Sequence, residues 1–152
     1  MIKYLIQLHF AVFLAGFTGV FGRLISYDAF TLVLLRFTVA AVAVVAYVYF
    51  TKRLVYFDLK SKLKTMFVGG LLCLHFIFFY LSIKLSNISI GTITIAATCF
   101  FTTAFEPIIL KTRFKPTNLI YGLIIIAGLL LIFNFDTKFR LGIIIGFISA
   151  MI

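Results

Sequence analysis

A chain of 152 residues with 64% hydrophobic and only 12% charged residues is far more apolar than a soluble domain, in which about a quarter of residues are charged. Its formal net charge is +10, but Lys and Arg form short clusters between apolar runs rather than a continuous basic face, which argues against a nucleic-acid partner. The composition therefore excludes an ordinary soluble globule and predicts a protein whose main partner is the lipid bilayer.

Five apolar runs are long enough for a helix that crosses a bilayer, which takes roughly 20 residues. They lie at Tyr4–Ile25, Ala29–Phe50, Met66–Ile83, Ile88–Leu110 and Thr117–Phe135. The first run is too long for a removable signal peptide and lacks a small-residue cleavage site, so it is predicted to remain in the mature protein. A sixth run, Leu141–Ile152, rises only about 18 Å against a hydrocarbon core of about 30 Å. We interpret it as a truncated helix, and the chain as a fragment.

The distribution of Lys and Arg predicts the orientation, because short loops rich in these residues stay in the cytoplasm. With the N-terminus inside, the cytoplasmic side carries Lys3, Lys52, Arg53, Lys60, Lys62, Lys64, Lys111, Arg113 and Lys115. The outer side carries only Arg23, Lys84, Lys138 and Arg140. The sequence therefore predicts a multi-pass protein of the cell (inner or plasma) membrane with a cytoplasmic N-terminus.

Two polar residues inside the spans are candidates for contact with a substrate. Arg36 lies only about 10 Å below the outer end of the second span, and a guanidinium there is costly unless it reaches the interface, pairs or faces a cavity. His75 lies near the middle of the third span. A single histidine there either bonds to a neighbouring helix or accepts a proton or a substrate group.

The fourth span carries small and polar residues at helical spacing, which predicts one continuous face on a regular helix. Its members are Thr92, Ala96, Cys99, Thr103 and Glu106. Two interpretations stay open: close helix packing, with Thr hydroxyls bonded back to their own backbone, or the wall of a water-filled cavity that ends at Glu106. Glu106 alone is also explained as an interfacial acid near Lys111 and Arg113. Its depth differs from that of Arg36 by roughly 16 Å, so no direct ion pair between them is expected.

Glycines in three spans predict faces where another helix backbone approaches closely. They are Gly16, Gly19, Gly22, Gly69, Gly70, Gly122 and Gly128. The alternative is a role in sliding or bending during a transport cycle.

Chemistry beyond binding has little support in the sequence. The two histidines are isolated, and the four acids, at Asp28, Asp58, Glu106 and Asp136, are dispersed along the chain. Cys73 and Cys99 lie inside apolar runs without CxxC spacing. No nucleophile with a base and no metal cluster emerges, so we predict a protein that is not an enzyme and that uses no metal or cofactor.

The order of these features resembles the EamA-type repeat of the drug/metabolite transporter superfamily. The first span has Gly16 and Gly19, and the second reads LLRFTVAA, with Arg36 and Phe37 followed by the small residues Ala40 and Ala41. The third ends in YLSIKLSNISIGT, in which the residues 82–85 match an Ala-Leu-Lys-Tyr-like tetrad, and the fifth reads GLIIIAGLLLIF. The family's small-Glu-Arg pattern after the fourth span is replaced here by 112–114, Thr-Arg-Phe, so its acid has no counterpart in Glu106.

The resemblance implies an all-α, ten-helix transporter of two inverted repeats, of which this chain holds five helices plus the truncated sixth. Residues 1–138 would form the first repeat and 139–152 the start of the second. Such proteins move amino acids, other metabolites or toxic compounds through a central cavity by alternating access. Candidate cavity residues are Arg36, His75, Thr103 and Glu106. The partner would be the missing C-terminal repeat. The alternatives are a half-size or degenerate membrane subunit without transport of its own, and an opposed-orientation homodimeric multidrug-type exporter.

Overall fold

The structure, a computed structural model, describes residues 2–52, 58–111, 113, 116–133 and 137–152. Within these ranges the chain forms α1 (Ile2–Leu24), α2 (Ala29–Thr51), α3 (Leu59–Leu85), α4 (Ile88–Thr94), α5 (Ala97–Leu110), α6 (Pro116–Phe133), a 3₁₀ turn (Thr137–Phe139) and α7 (Arg140–Met151). Four stretches among the described residues are long and apolar enough to cross a membrane, namely α1, α2, α3 and Ile88–Leu110. The α6 and α7 helices are apolar but shorter. The predicted all-α membrane fold is confirmed.

Side-chain caps set where α2 and α3 begin. The Asp28 carboxylate accepts from the backbone N–H groups of Phe30 and Thr31 at the start of α2, and Asp58 accepts from that of Ser61 at the start of α3. Hydrogen bonds from the side chains of Thr31 and Ser61 respectively lower the pKa of the two carboxyl groups, because they favour the charged form.

The third span begins earlier than predicted, at Leu59 instead of Met66. The cap at Asp58 starts the helix, so Lys60, Lys62 and Lys64 lie on its first turns rather than in a loop. An apolar run locates only the part of a helix inside lipid, whereas hydrogen bonding extends the helix into the basic, water-facing segment.

The predicted fourth span, Ile88–Leu110, is present as one apolar stretch, but it is not a regular helix throughout because it contains a tight turn. The α4 helix ends at Thr94 and α5 begins at Ala97. Across the break, the N–H of Ala96 donates to the carbonyl of Ile93 at 2.9 Å and that of Thr98 to Ile95 at 2.8 Å, the tighter pattern of a 3₁₀ turn. The face from Thr92 to Glu106 is therefore interrupted.

The two ends of the bundle differ in packing. We call the end of the bundle that carries the loops at 25–28 and 86–87 the Asp28 end. The opposite end, which carries the starts of α1 and α3 and the ends of α2 and α5, is called the Lys52 end. At the Asp28 end the Lys84 ammonium donates to the carbonyl of Ile25, the residue after α1, at 2.5 Å. The main buried cluster lies near this end and consists of Ala29, Leu32, Val33, Phe79, Tyr80 and Ile83.

The α7 helix packs antiparallel to α3 through small residues. Its Gly142 accepts a hydrogen bond at its carbonyl from the Ser82 hydroxyl at 2.7 Å, while Ser149 near its other end meets His75. Gly146 faces the hydroxyls of Thr94 and Ser82. The backbones approach closely because the glycines have no side chain, as is common between helices in membranes.

The predicted glycine faces are only partly in contact. A Cβ on Gly19, Gly22 or Gly122 would meet a neighbouring helix, at 2.7 Å from Thr92 Cγ2 in the first case. A Cβ on each of the other predicted glycines would meet nothing within 4 Å; these are Gly16, Gly69, Gly70 and Gly128. For those four, no helix among the described residues makes the predicted close approach.

Candidate functional site

Arg36 is held by two neighbouring helices. It lies two turns into α2, and its Nη1 donates to the Tyr80 hydroxyl of α3 at 3.1 Å and to Thr18 Oγ1 of α1 at 3.4 Å. Both acceptors are neutral, so they fix the guanidinium without cancelling its charge.

An aromatic ring forms one side of this site. The guanidinium carbon of Arg36 lies 4.0 Å from the centroid of the Phe76 ring, a cation–π distance. Phe76 stacks on Tyr80 with an interplanar angle of 28° and meets Phe37 edge to face. The rings thus hold the cation against α3, and we call Arg36, Thr18, Tyr80 and Phe76 the Arg36 site.

The Arg36 site lies where close packing ends. In α1 the buried residues are Gly19 and Gly22, and in α2 they are Ala29, Leu32 and Val33, all toward the Asp28 end. In α3 the buried residues fall within 79–83, again toward that end. From the Arg36 site toward the Lys52 end, the described residues of α1 and α2 are exposed or half-buried. The site is closed on one side and open on the other.

His75 joins α3 to α7. Its Nδ1 lies 2.7 Å from the carbonyl oxygen of Ser149, and a carbonyl oxygen can only accept, so this nitrogen carries a proton. The Ser149 hydroxyl in turn donates to the His75 carbonyl at 2.9 Å. The His75 ring also meets Phe76 edge to face, with centroids 5.1 Å apart. Phe76 therefore lies between His75 and Arg36.

Thr103 and Glu106 lie elsewhere, on α5, so the four predicted site residues do not form one cluster. Thr103 donates its hydroxyl to the Cys99 carbonyl at 2.7 Å, a bond within its own helix. Glu106 is exposed, and no ion pair or hydrogen bond to it is found among the described residues. It borders a groove of about 360 Å³ between α5 and the end of α7. The buried hydroxyl of Thr98, which also lines this groove, has no hydrogen-bond partner among the described residues.

Sequence reasoning located Arg36 and His75 but missed the residues that hold them. No sequence motif distinguishes Thr18, Tyr80 and Ser149 from other residues of their helices. Their contacts with Arg36 and His75 depend on how the helices are rotated about their axes. A usable signal was the placement of Tyr80, which lies inside the third span and four residues after Phe76, hence on the same helix face.

Comparison with known proteins gives the family. The EamA-like transporter family matches residues 2–134. No curated protein matches the chain, and no solved structure matches it. Within the described residues, no group of three or more His, Cys, Asp or Glu side chains could hold a metal ion. An all-helical chain with several membrane-spanning segments and this match is an integral membrane protein with a transporter-like function, and it belongs to the EamA-like transporter family.

Proposed function

We propose that this protein moves small metabolites, such as amino acids or related compounds, across the cell membrane by alternating access. The observation that supports this best is the distribution of packing: α1, α2 and α3 are buried against one another near the Asp28 end and open from Arg36 toward the Lys52 end. Alternating access uses a central site that is exposed to one side of the membrane at a time. The Arg36 site lies where a substrate that enters from the Lys52 end would stop.

A second half is needed to enclose such a site, and we propose the inverted second repeat as that half. A second copy of this chain in the opposed orientation is the alternative. The exposed apolar side chains along the Lys52 halves of α1 and α2 leave room for either partner or for lipid. A growth-toxicity or uptake screen against metabolite panels, using the protein with any further segment that its gene encodes, would identify the substrate.

The opening can be tested with two neighbouring cysteines on α2. Ala43 lies about two turns from Arg36 and on the same face, whereas Val42 is turned about 120° away; both are exposed. With Cys73 and Cys99 replaced by Ala, we expect Ala43→Cys to react with a small hydrophilic thiol reagent added from the Lys52 side, and Val42→Cys to react at least about tenfold more slowly, because a lipid-facing thiol seldom ionises.

Equal labelling of the two cysteines would contradict the proposed opening. Protection of Ala43→Cys, together with reaction at Val42→Cys, would place the water-filled region on the opposite side of α2.

The orientation is a separate proposal: the Lys52 end faces the cytoplasm, because most Lys and Arg residues lie there. In intact cells, an impermeant thiol reagent should modify Tyr27→Cys, in the exposed loop before α2. It should modify Lys60→Cys only after the membrane is permeabilised. The reverse order of labelling would invert the topology.

A further inference from the structure

Arg36 has one side of its guanidinium free of protein acceptors. Both of its hydrogen bonds, to Tyr80 and Thr18, start from Nη1. Among the described residues, Nε and Nη2 donate to no acceptor. These two nitrogens form the edge of the guanidinium that binds a carboxylate through two parallel hydrogen bonds. The site thus presents an unused, oriented pair of donors.

The charge of Arg36 is likewise unbalanced among the described residues. Asp28 and Asp58 cap the starts of α2 and α3, and Glu106 lies on α5 without a described ion pair. A charged side chain inside a membrane normally pairs, reaches water or belongs to a functional site. No described acid pairs with Arg36, so any counter-charge would have to come from outside the described residues, such as a lipid headgroup or a bound molecule.

Lipid headgroups at the Asp28 end are poorly placed to supply it. The buried cluster that contains Leu32, Val33, Phe79 and Ile83 lies between Arg36 and that end. In addition, the contacts with Tyr80 and Phe76 hold the guanidinium against α3. The open approach is from the Lys52 end, where Ala40 and Ala43 follow Arg36 on the same face of α2 and are exposed.

The charges at the site select the kind of anion. One guanidinium, on an exposed residue, contacts the neutral groups of Tyr80, Thr18 and Phe76, and no Lys or second Arg contacts it among the described residues. A phosphate group carries about −1.5 to −2 charges at neutral pH and would leave negative charge uncompensated in a medium of low dielectric constant. A carboxylate carries one negative charge and balances the site.

We infer that Arg36 binds the carboxylate of the transported substrate through its Nε–Nη2 edge, with Tyr80 and Thr18 as positioning residues that hold the guanidinium. This inference rests on the proposed transport function and narrows its substrates to small molecules that bear a carboxylate. The remainder of the substrate would extend along the open face toward Ala40 and Ala43.

The test uses chemical modification of Arg36 in the protein reconstituted in lipid, with any further segment that its gene encodes. Phenylglyoxal reacts with accessible guanidinium groups, and mass spectrometry of the digested protein reports each arginine separately. Propionate, pyruvate, L-alanine, L-leucine and L-phenylalanine are each added at about 10 mM, tenfold above the upper end of typical KM values. Propionamide and the primary amides of the three amino acids serve as counterparts that lack the carboxylate charge.

We expect at least one carboxylate to slow the modification of Arg36 about tenfold, because a ligand at ten times its dissociation constant leaves only about a tenth of the sites free. The corresponding amide should not slow it. Arg23, which is exposed at the Asp28 end, is the internal control: its rate of modification should be the same with and without each added compound. Tyr80→Phe should weaken this protection, because Nη1 loses an acceptor. Tyr49→Phe, also exposed on α2 but turned about 140° away from Arg36 around the helix axis, should leave it unchanged.

Two results would overturn the inference. If Arg36 reacts and no carboxylate protects it, the site is open but does not bind carboxylates, and labelling of Ala43→Cys would still support the proposed transport route. If Arg36 fails to react while Arg23 does, the guanidinium is not accessible and the inference is wrong; absence of labelling at Ala43→Cys would then count against the transport route as well.

Discussion

A disulfide between Gly19→Cys and Thr92→Cys is expected to stop transport and to release it again on reduction. A Cβ built on Gly19 lies 2.7 Å from Cγ2 of Thr92, so the two Cβ atoms of the cysteine pair lie within about 4 Å, in the range of native disulfides. The bond would join α1 to α4 near the Asp28 end. If transport requires this end to open, a covalent link that excludes the open state should lower the rate at least about tenfold.

The measurement compares transport of the substrate identified by screening before and after a reducing agent, with Cys73 and Cys99 replaced by Ala. Each single cysteine variant controls for the substitution itself. Gly16→Cys with Gly69→Cys is a control pair nearer the Lys52 end, where a Cβ on either glycine meets nothing within 4 Å, so little cross-linking is expected. Full transport by protein whose 19–92 cross-link is complete would refute opening at the Asp28 end.

The sequence was sufficient for the four long spans, although not for the start of the third, because apolar length is set directly by bilayer thickness. It also identified Arg36 as a candidate site residue, because a guanidinium inside an apolar run is energetically costly in any orientation. The partners of Arg36 could not be found in the same way. Tyr80 is 44 residues away and Thr18 is 18 residues away, so these contacts depend on the rotation and tilt of three helices, which hydropathy does not specify.

The break between α4 and α5 has only a weak local signal. Neither Pro nor Gly stands at 95–96, the usual causes of a break. The β-branched run Thr92–Ile95 precedes it, and Thr94 donates its hydroxyl to the Gly91 carbonyl at 2.8 Å. β-Branching and such back-bonding each weaken a helix slightly, and neither effect alone predicts a break.

The small-residue face of α7, by contrast, has a clear signal in the sequence. Gly142, Gly146 and Ala150 recur at intervals of four, the pattern of a closely packed membrane helix. This signal does not depend on the length of the segment, which is shorter than a full membrane span. In the structure this face is buried against α3 and α4, with Ser149 beside it, and it provides some of the tightest approaches in the bundle.

That packing predicts opposite effects for the same substitution at two positions. In a helix interior, Gly→Ala normally stabilises by about 0.5–1 kcal/mol, because it restricts the unfolded chain. At Gly69 the new methyl group would meet open space, so we expect Gly69→Ala to raise the unfolding temperature in detergent by about 1–4 °C. The helix propensity is the only contribution that changes there.

At Gly146 the same methyl group would collide with the hydroxyl of Thr94 and lie 2.9 Å from that of Ser82. Overpacking of this kind costs about 1–3 kcal/mol, and moving α7 away would lengthen the bonds from Ser82 to Gly142 and from Ser149 to His75. After the helix-propensity gain is subtracted, Gly146→Ala should therefore lower the unfolding temperature by about 1–8 °C. Thr94→Ala should restore part of the loss in the double variant, because it removes the colliding oxygen. A rise in unfolding temperature for Gly146→Ala equal to that for Gly69→Ala would mean that α7 does not pack on α3 and α4.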